Sequence, residues 1–360
     1  MKKITDRKVR YAIIGFGGIA ENRIAKEGFA CDTKRFAPLK NAELVGVTDI
    51  NLARQKAAAA LGLKFYKNQD EIFADPSIDA VFVAVNNTNH VHATCAALAA
   101  GKHVIVEKPL ATSVADARKM ITLASRKHLS LSVDHMMIHN PRNVLAKRYI
   151  KTGKIGEIND GCFHMEFACG YTPAEAATWR CSKIEEMGGP IGDVASHCFY
   201  VAEYLFDSEI TGLAACYYPK QMAMRAEDGA YIRFDLACGL QLSARVAFCE
   251  RRGGLVGNLS NLGFEVYGET GVLRSFGTMF QLSGYADEAY PIRLELENAS
   301  GVKNLVPRKI VNIYQQVIEN HAKSILDGKP VNADAGLHNL KCCLAAHRSA
   351  QNGGKYYKVR

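Results

Sequence analysis

The sequence predicts an α/β protein with an N-terminal doubly wound parallel sheet, followed by an α/β domain built on a large, open, mostly antiparallel sheet. Two patterns predict it. Up to about residue 134, continuous apolar runs alternate with alanine-rich helical stretches, as in strands buried on both faces. From about residue 135, long strand-like segments follow one another directly. The division expected is therefore 1–134 and 135–360. A length of 360 residues, 48% apolar and 22% charged, suffices for two such cores and excludes disorder, collagen and coiled coil.

In the first block Val9 to Gly15, Leu44 to Asp49, Ala80 to Val85, His103 to Glu107 and Leu129 to Val133 read as strands. Leu52 to Leu61 and Val91 to Ala100 read as helices between them. A further helix is capped by Thr112 or Ser113 and carries Val114, Ala117, Met120, Ile121 and Ala124 at helical spacing. In the second block Glu157 to Ala168, Glu209 to Tyr218, Ala230 to Phe248, Phe264 to Phe276 and Ile292 to Leu296 read as strands. Gly268-Glu-Thr-Gly271 supplies a hairpin turn. Lys309 to Leu326 and Ala335 to Ala350 close the chain as helices.

Forty-five basic against 36 acidic residues give a formal charge of +9, a weak pointer to phosphate-bearing ligands. No motif for nucleic acid accompanies it. The eleven cysteines are an odd number without a C-x-x-C pair, so reduced thiols in the cytoplasm are expected rather than a disulfide framework or structural zinc. Lys2 and Lys3 ahead of Tyr11 to Ala20 imitate a secretory leader. The three glycines of that stretch and the charges between Asp6 and Arg10 break the likeness. No apolar run is long enough to span a membrane.

Chemistry enters at Gly15-Phe16-Gly17-Gly18-Ile19-Ala20, a G-x-G-x-x-A turn between a strand and a helix. Glycine lets a pyrophosphate approach the main chain and rest on the helix N-terminus, while Ala20 serves close helix packing. The alternative is a plain flexible turn. Asp49, ending the second strand, favours the dinucleotide: its carboxylate can accept from both ribose hydroxyls and repels a 2′-phosphate, which selects NAD over NADP. Asp49 lies 29 residues beyond Ala20, where the usual fingerprint has about 20. The region Lys26 to Lys40, with Pro38, is therefore an inserted loop.

The fourth strand runs into Glu107-Lys108-Pro109, which places a lysine at the carboxyl edge where such sheets bind ligands. Farther on, Gly188-Gly-Pro-Ile-Gly192 turns into a helix. Ile191, Val194, Ala195, Cys198, Val201, Ala202 and Leu205 form its apolar stripe, with Asp193, His197, Tyr200 and Tyr204 about 120° away. Asp193 and His197, one turn apart, can reach one small molecule or pair with each other. Cys198 belongs to the apolar stripe, so no metal site is assigned here. Trp179 and Arg180 precede this helix and could stack on and hydrogen-bond a sugar, as could Tyr200; packing is the other reading for Trp179.

The glycine loop, Asp49, Asn87-Thr-Asn-His-Val-His92, Ala-Gly-Lys-His-Val-Ile-Val-Glu-Lys108-Pro109 and Gly-Gly-Pro-Ile-Gly-Asp193-x-x-x-His197 together resemble the Gfo/Idh/MocA oxidoreductases. Phe264 to Arg274 and Gly336 to Ala350 extend the resemblance over nearly the whole chain. It implies an N-terminal Rossmann domain and a C-terminal domain whose sheet commonly forms homodimers or homotetramers. It also implies NAD as cofactor and a carbohydrate or polyol as substrate, with no nucleic acid or membrane partner. The family's catalytic residues fall on Lys108, Asp193 and His197, and Asn87, Asn89 and His90 fall on the loop passing the ribose and nicotinamide. Glu107 and Lys108 then border the cofactor. One departure is Met136-Met137, where relatives often carry a polar pair. The expected activity is hydride transfer between nicotinamide and a secondary hydroxyl or ketone of a sugar, glycoside or cyclitol. The alternatives are an enzyme that keeps its cofactor bound while it processes glycosides, and a sugar-sensing or NAD-sensing regulator.

Overall fold

The computed structural model describes residues 7–249 and 259–359. The leader-like Lys2 and Lys3 lie outside them. Contacts divide the chain into two units: Met1–Met136 with Tyr314–Leu337, and Met137–Ile313 with His338–Arg360. The second block expected from the sequence was continuous to residue 360. In the structure, 314–337 returns to the first unit because its helix buries His321 against the first strand, with His321 Nδ1 2.8 Å from the Tyr11 hydroxyl.

The first unit is a six-stranded sheet: β1 (Val9–Ile14), β2 (Ala42–Thr48), β3 (Lys64–Phe65), β4 (Ala80–Val83), β5 (His103–Val106) and β6 (Leu131–Val133). The order is β3-β2-β1-β4-β5-β6, with all pairings parallel. This is the doubly wound arrangement, whose order reverses between β1 and β4. Five of these strands match expected segments. The sixth, β3, has only two residues, too few to show a hydrophobic period. Parallel pairing brings the ends of β1, β2, β4 and β5 to one edge, so Gly15, Asp49, Ala84 and Glu107 all leave the sheet on the same side.

Tyr11, Ala12, Ile13, Val81, Val83, Val104, Ile105 and Val106 are fully buried, as strands covered on both faces must be. The expected Leu52 to Leu61 helix is broken into a short 3-10 turn, Leu52–Arg54, and a helix Gln55–Ala60. Ser113 caps the helix Val114–Lys127 by accepting from the Asp116 amide at 3.1 Å, and Ala117, Met120 and Ala124 form its buried stripe. Helix Ala20–Gly28 follows the glycine turn and is wound with wide turns, its Phe29 amide donating to Ile24 O. The loop 29–41 after it accounts for the long spacing to Asp49.

The second unit holds a nine-stranded sheet: β7 (Ile158–Glu166), β8 (Ile210–Tyr217), β9 (Gly229–Leu236), β10 (Gln241–Ala247), β11 (Phe264–Gly268), β12 (Gly271–Phe276), β13 (Arg293–Asn298), β14 (Gly301–Asn304) and β15 (Tyr357–Lys358). The order is β14-β13-β12-β11-β7-β10-β9-β8-β15. Its pairings are antiparallel except β7 with β10. Gly268 opposes Gly271 in the expected hairpin. The segment Ala230 to Phe248 is two strands, not one, because Gly239 adopts φ +93° and turns the chain back. Helix Pro141–Lys151 precedes the first strand of this block, and helix Ser196–Phe206 lies between β7 and β8. Among the described residues no helix is long and apolar enough to cross a membrane.

Burial holds His321 down at about 3, with His103 adding to the effect. The unfolded chain takes up this proton below about pH 6.5, whereas the folded protein does so only near 3. The stability carried by neutral His321 is thus fully present above the unfolded value and is lost as pH falls. Melting temperature is expected to drop between pH 7 and pH 4.5, and His321→Gln to flatten that drop. An unchanged slope in this variant would mean that other groups control acid stability.

Candidate active site

At the switch point of the first sheet the chain turns at Gly15, whose φ is +90°. Its amide donates to Thr48 O at 2.9 Å. A Cβ there would stand 2.7 Å from Ala84 O, so the ends of β1, β2 and β4 leave room for no side chain. Gly17 and Gly18 differ. Both are exposed, and a Cβ on either would meet nothing within 4 Å. The protein's own packing therefore does not require glycine at 17 and 18. A ligand lying on the main chain would. The helix starts here, with the Glu21 amide donating to Gly17 O.

Asp49 faces this turn. One carboxylate oxygen accepts from the Phe16 amide at 2.7 Å and the other from the Asn51 amide at 2.8 Å. Arg54 secures the loop from beneath: its Nε donates to Phe16 O at 2.6 Å and its guanidinium pairs with Glu21. Gly15, Gly17, Thr48, Asp49, Ala84, Val85, Asn86 and Asn89 line a groove of about 680 Å³. Exposed backbone, a helix start and an oriented carboxylate form a donor set that fits a dinucleotide. Lys67, Asn68 and Gln69 also line the groove and were not singled out in the sequence, whereas His92, which lines it too, closes the Asn87-Thr-Asn-His-Val-His92 motif without a role assigned to it. Asn68 did carry a signal, since it caps the helix Gln69–Ala74.

The loop 87–90 divides its side chains. Asn89 lines the groove and donates to the Asn86 side chain at 2.6 Å. Asn87 is buried. His90 is wholly buried, with Nδ1 2.8 Å from Pro109 O and Nε2 3.2 Å from Val85 O. It links the end of β4 to the segment carrying Lys108. Glu107 and Lys108 are half-buried at the end of β5, and the Lys108 amide donates to a Glu107 carboxylate oxygen at 3.1 Å.

In the second unit, Gly188 and Gly189 permit a close approach. A Cβ on Gly188 would lie 2.6 to 2.9 Å from the carbonyl oxygens of Trp179, Lys183 and Arg180. The short helix Trp179–Ser182 is thereby held against the start of the next helix. Glu227, also unmarked in the sequence, accepts from the Ile191 amide at 2.8 Å and satisfies a free donor of that helix. The helix begins with a wide turn, Ile191–Ala195, and continues as Ser196–Phe206.

Asp193 is buried and accepts from Arg180 Nε at 3.1 Å. The Arg180 guanidinium stacks on Trp179, 4.7 Å from the ring centroid. His197 is also buried, with its Nδ1 2.7 Å from the Tyr200 hydroxyl. Arg180 thus meets Asp193, and Tyr200 meets His197. The expected apolar stripe from Ile191 to Leu205 is buried throughout, Cys198 included. Among the described residues, one group of three ligand-type side chains lies close together, Glu203, His338 and Cys342. There Glu203 already accepts from the Ile210 amide and pairs with His338. All eleven cysteines are free thiols.

Residues 9–135 match the oxidoreductase family Gfo/Idh/MocA, NAD-binding Rossmann fold, and residues 144–274 match the Gfo/Idh/MocA C-terminal domain. The chain is 28% identical to 1,5-anhydro-D-fructose reductase of Ensifer adhaerens over 289 residues, 79% of this chain and 81% of that protein. It is 34% identical to levoglucosan dehydrogenase of Pseudarthrobacter phenanthrenivorans over 136 residues, 37% of this chain and 34% of that protein. Among solved structures, the aldose-aldose oxidoreductase of Caulobacter crescentus superposes with a TM-score of 0.83 at 20% identity, covering 98% of this chain and all of the other. A levoglucosan dehydrogenase complexed with NADH and levoglucosan gives 0.81 at 22%, covering 98% and 99%. At these identities the structural likeness is one of fold.

Gly15→Ala is expected to destabilise the protein by about 2 kcal/mol or more, through left-handed strain and the clash with Ala84. Gly17→Ala should stay within about 0.5 kcal/mol of the parent. Denaturant unfolding without ligand checks both, and equal effects would mean that the two glycines do not differ in role.

Proposed function

The chain belongs to the Gfo/Idh/MocA oxidoreductase family, and we propose that it is an NAD-dependent enzyme interconverting a secondary hydroxyl and ketone on a sugar, glycoside or cyclitol. The observation that carries this reading is the Asp49 carboxylate, oriented by the Phe16 amide beside the bare Gly17–Gly18 main chain. Held there, it would accept from ribose hydroxyls and disfavour a 2′-phosphate. Lys67 in the same groove is the residue that would favour NADP instead. Sugar relatives such as levoglucosan dehydrogenase and 1,5-anhydro-D-fructose reductase support the substrate class.

When bound, nicotinamide supplies the hydride acceptor or donor. The remaining roles fall to the chain. His197 is the proposed base for the hydroxyl proton, its imidazole oriented by the Tyr200 hydroxyl at Nδ1. Lys108 would hold the substrate oxygen and offset its developing negative charge. Asp193, braced by Arg180, would anchor a neighbouring hydroxyl. Trp179, carrying Arg180 on its face, offers a surface for a sugar ring. Free thiols throughout fit a reducing compartment such as the cytoplasm, and association of copies through the nine-stranded sheet is the assembly expected.

The test is a panel of sugars, glycosides and inositols with NAD and, separately, NADP, followed by nicotinamide absorbance. Turnover with NAD is expected, and Lys108→Ala should lower kcat/KM by about 100-fold or more while dinucleotide binding persists. If Lys108→Ala turns over like the parent, catalysis through this lysine is wrong. Substrate conversion without net NADH release would identify an enzyme that keeps its cofactor. In the oxidising direction kcat/KM should rise with pH through the histidine range, and His197→Ala should lose that limb.

A further inference from the structure

Asp134 lies immediately beyond β6, where Val133 pairs with Val106, so it stands beside Glu107 at the carboxyl ends of neighbouring strands. Its amide continues the ladder by donating to Val106 O at 2.9 Å. The side chain is fully buried, and among the described residues neither carboxylate oxygen receives a hydrogen bond. An ionised carboxylate so placed would carry its charge away from bulk solvent and without a bonded donor among the described residues, which burial penalises. The groups acting on it are the carboxyl of Glu107 and the ammonium of Lys108. Tyr314, from the returning C-terminal segment, feels both carboxyls as well. Burial, and then the charge of Glu107, push the Asp134 carboxyl well above the usual carboxylate range, with Lys108 opposing. Two carboxylates side by side are acceptors only and cannot bond to each other, whereas one proton between them turns repulsion into a charge-assisted hydrogen bond.

We propose that Asp134 and Glu107 share a single proton and act as one hydrogen-bonded unit that positions Lys108. The unit holds Glu107, whose carboxylate accepts from the Lys108 amide. The main chain that presents the lysine is fixed by this bond on one side and, through Pro109 O, by His90 on the other. The unit also sets the charge beside the ammonium at one negative unit. Asp134 is a positioning residue, since it reaches the reaction through Glu107 and Lys108. The proposal rests on the role given to Lys108 above, and its test separates the two.

The first measurement needs no substrate. Lys108 is labelled with acetic anhydride across pH in the parent and in Asp134→Asn, and the modified peptide is quantified by mass spectrometry. A shared proton makes the pair one negative charge in both proteins, so the labelling midpoint should stay in place. A doubly ionised pair would lose a charge in the variant and drop the midpoint by about one pH unit, tenfold in amine reactivity, which would overturn the proposal. The infrared stretch of a protonated carboxyl should be present in the parent at pH 8 and absent from Asp134→Asn; its absence from the parent would equally overturn it. In turnover, Asp134→Asn should remain within about threefold of the parent in kcat, because the amide still donates to Glu107, while Asp134→Ala falls about tenfold or more. Equal activity of the Asn and Ala variants would remove the positioning role. Failure of Lys108→Ala to impair turnover counts against the catalytic reading, while labelling and infrared still decide the shared proton.

Discussion

The first unit depends on one steric constraint, the absence of a side chain at residue 15. Three parallel strands end around Gly15. β2 takes its amide through Thr48 O, β4 occupies the space of its missing Cβ through Ala84, and β1 delivers it at a positive φ. Only glycine meets all three demands at once. Because the turn is tight, Phe16 follows immediately and offers its amide to Asp49, so one constraint sets both the glycine loop and the carboxylate that faces it. Arg54 then ties the loop to the helix start through Glu21.

The side chains proposed for the reaction are held by other side chains and not only by the backbone. Asp193 is fixed by Arg180, which is fixed by Trp179; His197 is fixed by Tyr200. Buried polar groups of this kind are costly unless paired, and the pairing defines their direction. His90 shows the same logic, joining the carbonyls of Val85 and Pro109 around the segment that carries Lys108. Asp134 stands out because its neighbour is another acid.

Much of this was legible before the fold was known. The apolar runs, the G-x-G-x-x-A turn, a cap at Thr112 or Ser113, the Gly268–Gly271 hairpin and the buried stripe from Ile191 to Leu205 are local patterns, and local sterics and periodicity decide them. The two-residue β3 was invisible because its pairing comes from β2 and not from its own residues. The split of Ala230 to Phe248 hinged on a single φ at Gly239, which composition alone did not reveal.

By itself, the sequence determined the two kinds of sheet, the bare phosphate-type turn and the place of Asp49 at the end of the second strand, since residue type and spacing along one element carry that information, while the family resemblance pointed to Lys108, Asp193 and His197. Only the tertiary structure decided which partners those groups take. The return of residues 314–337 to the first unit, the Glu227 carboxylate on the Ile191 amide, the groove wall from Lys67 to Gln69 and the meeting of Asp134 with Glu107 are contacts between segments far apart in the chain. Such contacts form because burial and hydrogen-bond satisfaction are settled over the whole domain, and no local pattern records them.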